Sequence, residues 1–152
     1  MVFCKLVSGL SSLLISTPIK SMLRIIIADD HPVVMQAVKQ IIQEEFPSAY
    51  IEEAADTTSL LEKIPNEHWD LVISDLAMPG GGGFSALKKI KQARKNLPVV
   101  IISTHSADQY RSRVLNAGAE EFISKDSLPQ DLIISIRRIL GNPQRNSNSS
   151  NT

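Results

Sequence analysis

The chain has 152 residues, 43% of them hydrophobic, enough to bury the core of one domain of ordinary size. Sixteen Lys and Arg balance sixteen Asp and Glu, so no positive field favours nucleic acid, and direct DNA binding by this chain is not expected. The single cysteine, Cys4, rules out an internal disulfide, a cysteine zinc cluster and a redox pair, and it fits a reducing, cytoplasmic setting. With no apolar run near the roughly 18 residues that span a bilayer, a soluble chain without membrane contact is expected.

Residues 1–21 read as a leader or over-long start. They hold Lys5 and then Leu13, Leu14 and Ile15, a faint likeness to an export signal, but serines and a glycine interrupt the apolar stretch. Docking of Leu10, Leu13, Leu14 and Ile15 as an amphipathic turn is the alternative for this segment. Met22 opens the working domain, which extends to Leu140. Here the apolar runs Leu23–Ala28, Ala49–Ala54, Leu71–Ile73, Leu97–Ile102 and Glu121–Ser124 alternate with helical stripes. Val34, Val38, Ile41 and Ile42 form the first stripe. The second helix is short, from Asp56 to about Ile64, because Pro65 cannot occupy a helix interior. Phe84, Leu87 and Ile90 mark the third, Tyr110, Val114 and Ala117 the fourth, and Leu128, Leu132, Ile136 and Ile139 the last. Three of the five runs are almost wholly aliphatic, as in strands covered on both faces, which predicts an α/β domain with a parallel sheet. Residues 141–152 carry four Asn, three Ser and no aliphatic side chain, and read as a polar linker or tail.

Ligands in such sheets collect at the carboxyl ends of the strands. The first run ends at Asp29 and Asp30, the third at Asp75, the fourth at Ser103, and the fifth leads into Lys125. Three carboxylates at one edge repel, and they either take up protons or hold a divalent cation. Hard oxygen donors favour magnesium. A cation there screens an incoming phosphoryl group, Lys125 and the Ser103 hydroxyl hold its oxygens, and Asp75 is left as the nucleophile. Taken singly, each residue has a plainer reading. Asp29 and Asp30 suit a helix N-cap ahead of Pro32, Asp75 a turn, Lys125 a solvated charge, and Phe122 the core. Trp69 and Met78 read as packing residues, and His31, His68 and His105 lack metal-ligand spacing. His105 is expected to influence water near the phosphoryl group.

Ile27-Ala28-Asp29-Asp30-His31-Pro32, Asp70 through Gly80, Ser103, and Phe122-Ile123-Ser124-Lys125-Asp126 together resemble the receiver domain of bacterial two-component response regulators. The spacings agree with that family, 45 residues from Asp30 to Asp75 and 22 from Ser103 to Lys125. Within it, Asp-Asp-His-Pro and His105 two residues after Ser103 resemble the NarL-type receivers of LuxR-family transcription regulators. The resemblance implies a flavodoxin-like (βα)5 doubly wound parallel sheet in the order 2-1-3-4-5. It implies that Asp75 accepts phosphate from a sensor histidine kinase. Asp29, Asp30, the Asp75 carboxylate and the Ala77 backbone carbonyl would hold Mg2+. Ser103 would be the switch hydroxyl, Phe122 the aromatic that follows it, and Lys125 the phosphate-contacting cation. Phosphorylation would then regulate an output, with homodimerisation through the last two helices and the fifth strand.

Gly80, Gly81, Gly82 and Gly83 depart from the family, which commonly has a bulkier and then an acidic residue there, so a looser loop is expected. NarL-type receivers are normally followed by a helix-turn-helix domain, which the twelve residues after Leu140 cannot form. This leaves a stand-alone receiver acting through protein contacts, or a receiver whose DNA-binding half is absent from this chain. An Asp-nucleophile phosphohydrolase is the alternative from another class. Such enzymes generally need an acidic residue two positions on, where this chain has Ala77, so a signalling phosphoacceptor is expected rather than an enzyme.

Overall fold

The computed structural model describes residues 22–104 and 107–141, with the backbone alone at 107 and 108. The expectations attached to residues 1–21, to His105 and to residues 142–152 lie outside the described residues. Five strands form one parallel sheet: β1 (Arg24–Ala28), β2 (Tyr50–Ala54), β3 (Leu71–Asp75), β4 (Val99–Ser103) and β5 (Glu121–Ser124). The order is β2-β1-β3-β4-β5, the doubly wound order the resemblance implies. The three aliphatic runs are the three inner strands, and β3 and β4 are buried at every residue. The weaker run is the edge strand β2, which keeps Glu52 and Glu53 partly in water.

The two-residue period of each strand divides the core. Ile26, Val72, Ile101 and Phe122 face one side, where they meet α2 (Thr57–Lys63), α3 (Gly82–Ala93) and α4 (Ala107–Asn116) through Leu60, Leu87, Ile90 and Val114. Ile25, Ile27, Ile73, Val100 and Ile102 face the other, against α1 (Pro32–Glu45) and α5 (Leu128–Leu140) through Val38, Ile42, Leu132, Ile136 and Ile139. Each such aliphatic side chain contributes roughly 1.5–3 kcal/mol on leaving water. Trp69 and Met78 pack as expected. Trp69 is buried and donates its Nε1–H to the Lys63 carbonyl at 3.0 Å.

α2 is one residue shorter at each end than its sequence pattern. Asp56 is its N-cap, accepting the Ser59 N–H at 2.7 Å, and Ile64 closes it just ahead of Pro65. The Asp29–Asp30 capping alternative is corrected. The N-cap of α1 is His31, with Pro32 next, and no side chain caps this helix. Asp29 is instead buried at the sheet edge, where its Oδ1 accepts the His31 N–H at 2.8 Å.

Candidate functional site

The sheet's register brings the strand-end residues together. Ala28 pairs with Ala54 and Ser74, so Asp29 and Asp75 emerge side by side from two adjacent inner strands. Asp29 donates its N–H to the Ala54 carbonyl at 3.0 Å, which fixes where its side chain begins. The β5 edge supplies Lys125. Its Nζ lies 2.9 Å from Asp29 Oδ2 and 3.1 Å from Asp75 Oδ2, and its side chain is only 6% exposed. Ser103, also buried, pairs with Ser124, the residue before Lys125. Phe122 pairs with Ile101, two positions back on each strand, so Ser103 and Phe122 share one side of the sheet. Ala77 donates its N–H to Asp75 Oδ1 at 3.3 Å.

Burial raises the pKa of Asp75 above the ordinary aspartate value, and the nearby Asp29 charge raises it further. Lys125 and the Ala77 N–H oppose this only in part. Burial works against the Lys125 charge, but its pairs with Asp29 and Asp75 outweigh that and raise its pKa. Asp29 Oδ2 and Asp75 Oδ2 are buried and face Lys125 as ion-pair partners without a directed hydrogen bond. Two buried carboxylates that share the one Lys125 ammonium, with the part-exposed Asp30 beside them, form a hard-oxygen set that fits a divalent cation.

One participant was missed by spacing rules. His31, set aside with His68 and His105, stands inside the acidic cluster. Its Nδ1 is 2.9 Å from Asp29 Oδ1, 3.2 Å from Asp30 Oδ1 and 3.8 Å from Asp75 Oδ2. The available signal was its place directly after Asp30, since the chain turns there from strand into helix. His68 lies at the opposite end of the sheet, near Asp70.

The glycine run is a shaped turn. The backbone is left-handed at Gly80, Gly81 and Gly82, and Gly81 is the N-cap of α3. At Gly83 the helix passes so close to β3 that a Cβ would stand 2.0 Å from the Asp75 carbonyl oxygen. The Gly83 N–H donates to the Leu76 carbonyl at 2.8 Å, and the Thr57 N–H to the Pro79 carbonyl at 3.0 Å, so the loop after Asp75 is held from both sides.

Residues 25–137 match the family described as response regulator receiver domain. The chain belongs to this family. The glycerol metabolism activator of Pseudomonas putida is 35% identical over 121 residues, 78% of this chain and 54% of that protein. The chain spans about half the length of the curated relatives it matches. A LuxR-family two-component response regulator from Aurantimonas sp. SI85-9A1 superposes with a TM-score of 0.72 and 30% identity, covering 79% of this chain and 86% of that one. The receiver is thus similar to the LuxR-family regulators that the Asp29–Pro32 motif pointed to. The response regulator TrrA of Thermotoga maritima, solved in complex with Mg(2+)-BeF, gives a TM-score of 0.71 and 28% identity over 78% of this chain and 100% of that one. Among the described residues of this receiver, no helix is long and apolar enough to cross a membrane.

Proposed function

We propose that Asp75 is the phosphoacceptor of this receiver, taking a phosphoryl group from a phosphohistidine on a sensor histidine kinase. One observation carries the reading. The Asp75 carboxylate is buried at the end of β3, paired with the Lys125 ammonium and close to the Asp29 carboxylate, where its free charge is disfavoured. A carboxylate oxygen of Asp75 attacks phosphorus as the phosphorus–nitrogen bond of the donor breaks, and the electron pair leaves with the imidazole. Lys125 balances charge on the phosphoryl oxygens, and the Ser103 hydroxyl, one strand away, turns toward them. Asp29, Asp30, the Asp75 carboxylate and the Ala77 carbonyl would hold magnesium, which when bound neutralises the crowded oxygens during transfer.

The added group brings about 1.5 to 2 negative charges at neutral pH. Ser103 and Phe122 share one side of β4 and β5, so a shift at Ser103 is passed to Phe122 and to the surface of β5, α4 and α5. That surface is the proposed place for homodimerisation. The output is transcription through a DNA-binding domain outside these 152 residues, in the cytoplasm, a reading supported by the likeness to LuxR-family regulators. The working domain is Met22 to Leu140. Ala77 stands where a hydrolase of this chemistry needs an acid, which favours a signalling receiver over an enzyme.

The experiment is intact-mass measurement after incubation with magnesium and acetyl phosphate. The wild type gains one phosphoryl group and Asp75→Asn gains none. Equal labelling of the two would overturn the assignment. Ser103→Ala should still be labelled while hydrogen exchange around Phe122 stays at its unphosphorylated level; a wild-type response in that variant removes Ser103 from the switch.

A further inference from the structure

We propose that the cavity between α3 and α4, beside the loop that leaves β3, is a binding site for a small aromatic carboxylic acid, its ring held among Leu76, Phe84, Tyr110 and Val114 and its carboxylate on the Arg113 guanidinium. The cavity shares no side chain with the cluster of Asp29, Asp30, Asp75 and Lys125, and the inference does not depend on Asp75 being the phosphoacceptor.

The backbone opens this cavity. α3 is drawn onto β3 by the close approach at Gly83 and runs alongside α2, whereas α4 stands further off. The gap has a volume of about 250 Å³ and is lined by Leu76, Ala77, Phe84, Tyr110, Arg113 and Val114. Val114 is fully buried, and Leu76, Phe84 and Tyr110 are partly buried against the same core. Sites for drug-sized ligands measure roughly 300–1,000 Å³, so this one takes a single ring and not a larger molecule. Leu76 is fixed by two backbone bonds, its N–H donating to the Ile102 carbonyl at 2.9 Å and its carbonyl accepting the Gly83 N–H at 2.8 Å, so that wall is in place before a ligand arrives.

Charge selects the occupant. α3 carries Lys88, Lys89 and Lys91 and no acidic residue. Lys91 is paired with Glu120, and on α4 Arg111 is paired with Glu121. Two further cations converge on one ring, Arg113 Cζ at 4.9 Å and Lys88 Nζ at 5.3 Å from the centre of Phe84. Among the described residues neither is paired with a carboxylate, so their charges reinforce one another at the mouth of an apolar cavity. An arginine stacked on an aromatic face keeps the N–H groups at its edge available to hold a carboxylate in a two-point contact. Apolar walls favour an anion with an apolar body over inorganic phosphate, which has no such surface to bury. Phe84 and Tyr110 add ring contacts that an aliphatic acid lacks.

The test uses the full chain with phenylacetate as the probe, read as amide shifts of Leu76, Ala77 and Val114 in NMR spectra. Acetate supplies the charge without the ring, and 2-phenylethanol the ring without the charge. Phenylacetate should shift these amides saturably, and each of the other two should bind about 10-fold more weakly or worse. Arg113 is exposed, so Arg113→Gln should keep the fold while its affinity for phenylacetate falls to that for 2-phenylethanol. Arg113→Lys should recover part of the loss, and Arg138→Gln, a change on α5, should match the wild type. Equal affinity for the acid and the alcohol overturns the inference, because the cavity would then be an apolar gap and no more. Equal affinity for acetate and phenylacetate overturns it too, since the anion would be held by surface charge without the ring. So does undiminished phenylacetate binding by Arg113→Gln, or the lack of any saturable shift in the wild type.

Discussion

At Asp75, burial works against the bare carboxylate. Its pKa is raised by desolvation and by Asp29, and that balance already includes the help of Lys125 and the Ala77 N–H. A carboxyl that binds its proton more tightly folded than unfolded weakens the fold above its folded pKa, and the loss is relieved as pH falls through that value. Asp75→Asn should therefore melt at a higher temperature than the metal-free wild type at neutral pH, with the gain shrinking as the solution is acidified. Thermal scans across the acid range check this; a variant less stable at neutral pH would mean that Lys125 pairing outweighs burial. His31 belongs to the same scale. Sequence spacing gave it no role, yet its Nδ1 lies within 3.8 Å of carboxylate oxygens from two chain segments, Asp29 and Asp30 beside it and Asp75 from β3.

Between β3 and α3, the four glycines after Pro79 set how closely the helix approaches Asp75. Four glycines in succession predict a looser loop. The structure uses them geometrically, with left-handed backbone up to Gly82 and a backbone-to-backbone contact at Gly83. A methyl group at Gly83 would meet the Asp75 carbonyl, so Gly83→Ala must push α3 away or displace the end of β3. The expected cost is roughly 1–3 kcal/mol by the usual penalty for overpacking, with slower labelling of Asp75. Denaturant unfolding and acetyl phosphate labelling measure both, and a variant with unchanged stability and rate would show that the close approach is dispensable. The other elements were legible for simple reasons. Aliphatic runs marked the inner strands, Pro65 marked the end of α2, and the stripe Leu128, Leu132, Ile136 and Ile139 is the buried face of α5. The termini of α2 and of β3 shifted by a residue or two because caps and register, not periodicity, set them.

Across the whole molecule, the doubly wound sheet gathers like charges from the ends of β1 and β3 at one edge, and Lys125, just after β5, offsets them in part. Binding of a divalent cation to the folded state alone should therefore stabilise the entire domain. At a hundredfold excess of Mg2+ over its dissociation constant the gain is about 2.7 kcal/mol, read as a rise in melting temperature. Asp30→Ala should lose most of that rise. An identical magnesium response in the variant would place the cation elsewhere on the surface. The even balance of sixteen basic and sixteen acidic residues means that this response is not a general effect of an acidic protein.

Strand count, the parallel sheet and the residues at each strand end were written in the sequence, because burial on both faces demands aliphatic runs and a polar residue is tolerated only where a run stops. Aspartates at the ends of the first and third runs and a lysine after the fifth follow from that pattern alone. What only the tertiary structure decided is which of them meet. Register sets Asp29 beside Asp75, the crossing to β5 drops Lys125 between them at 2.9 and 3.1 Å, and the turn into α1 swings His31 over the cluster. Those distances depend on pairing between segments up to a hundred residues apart, and no local pattern in the chain carries them.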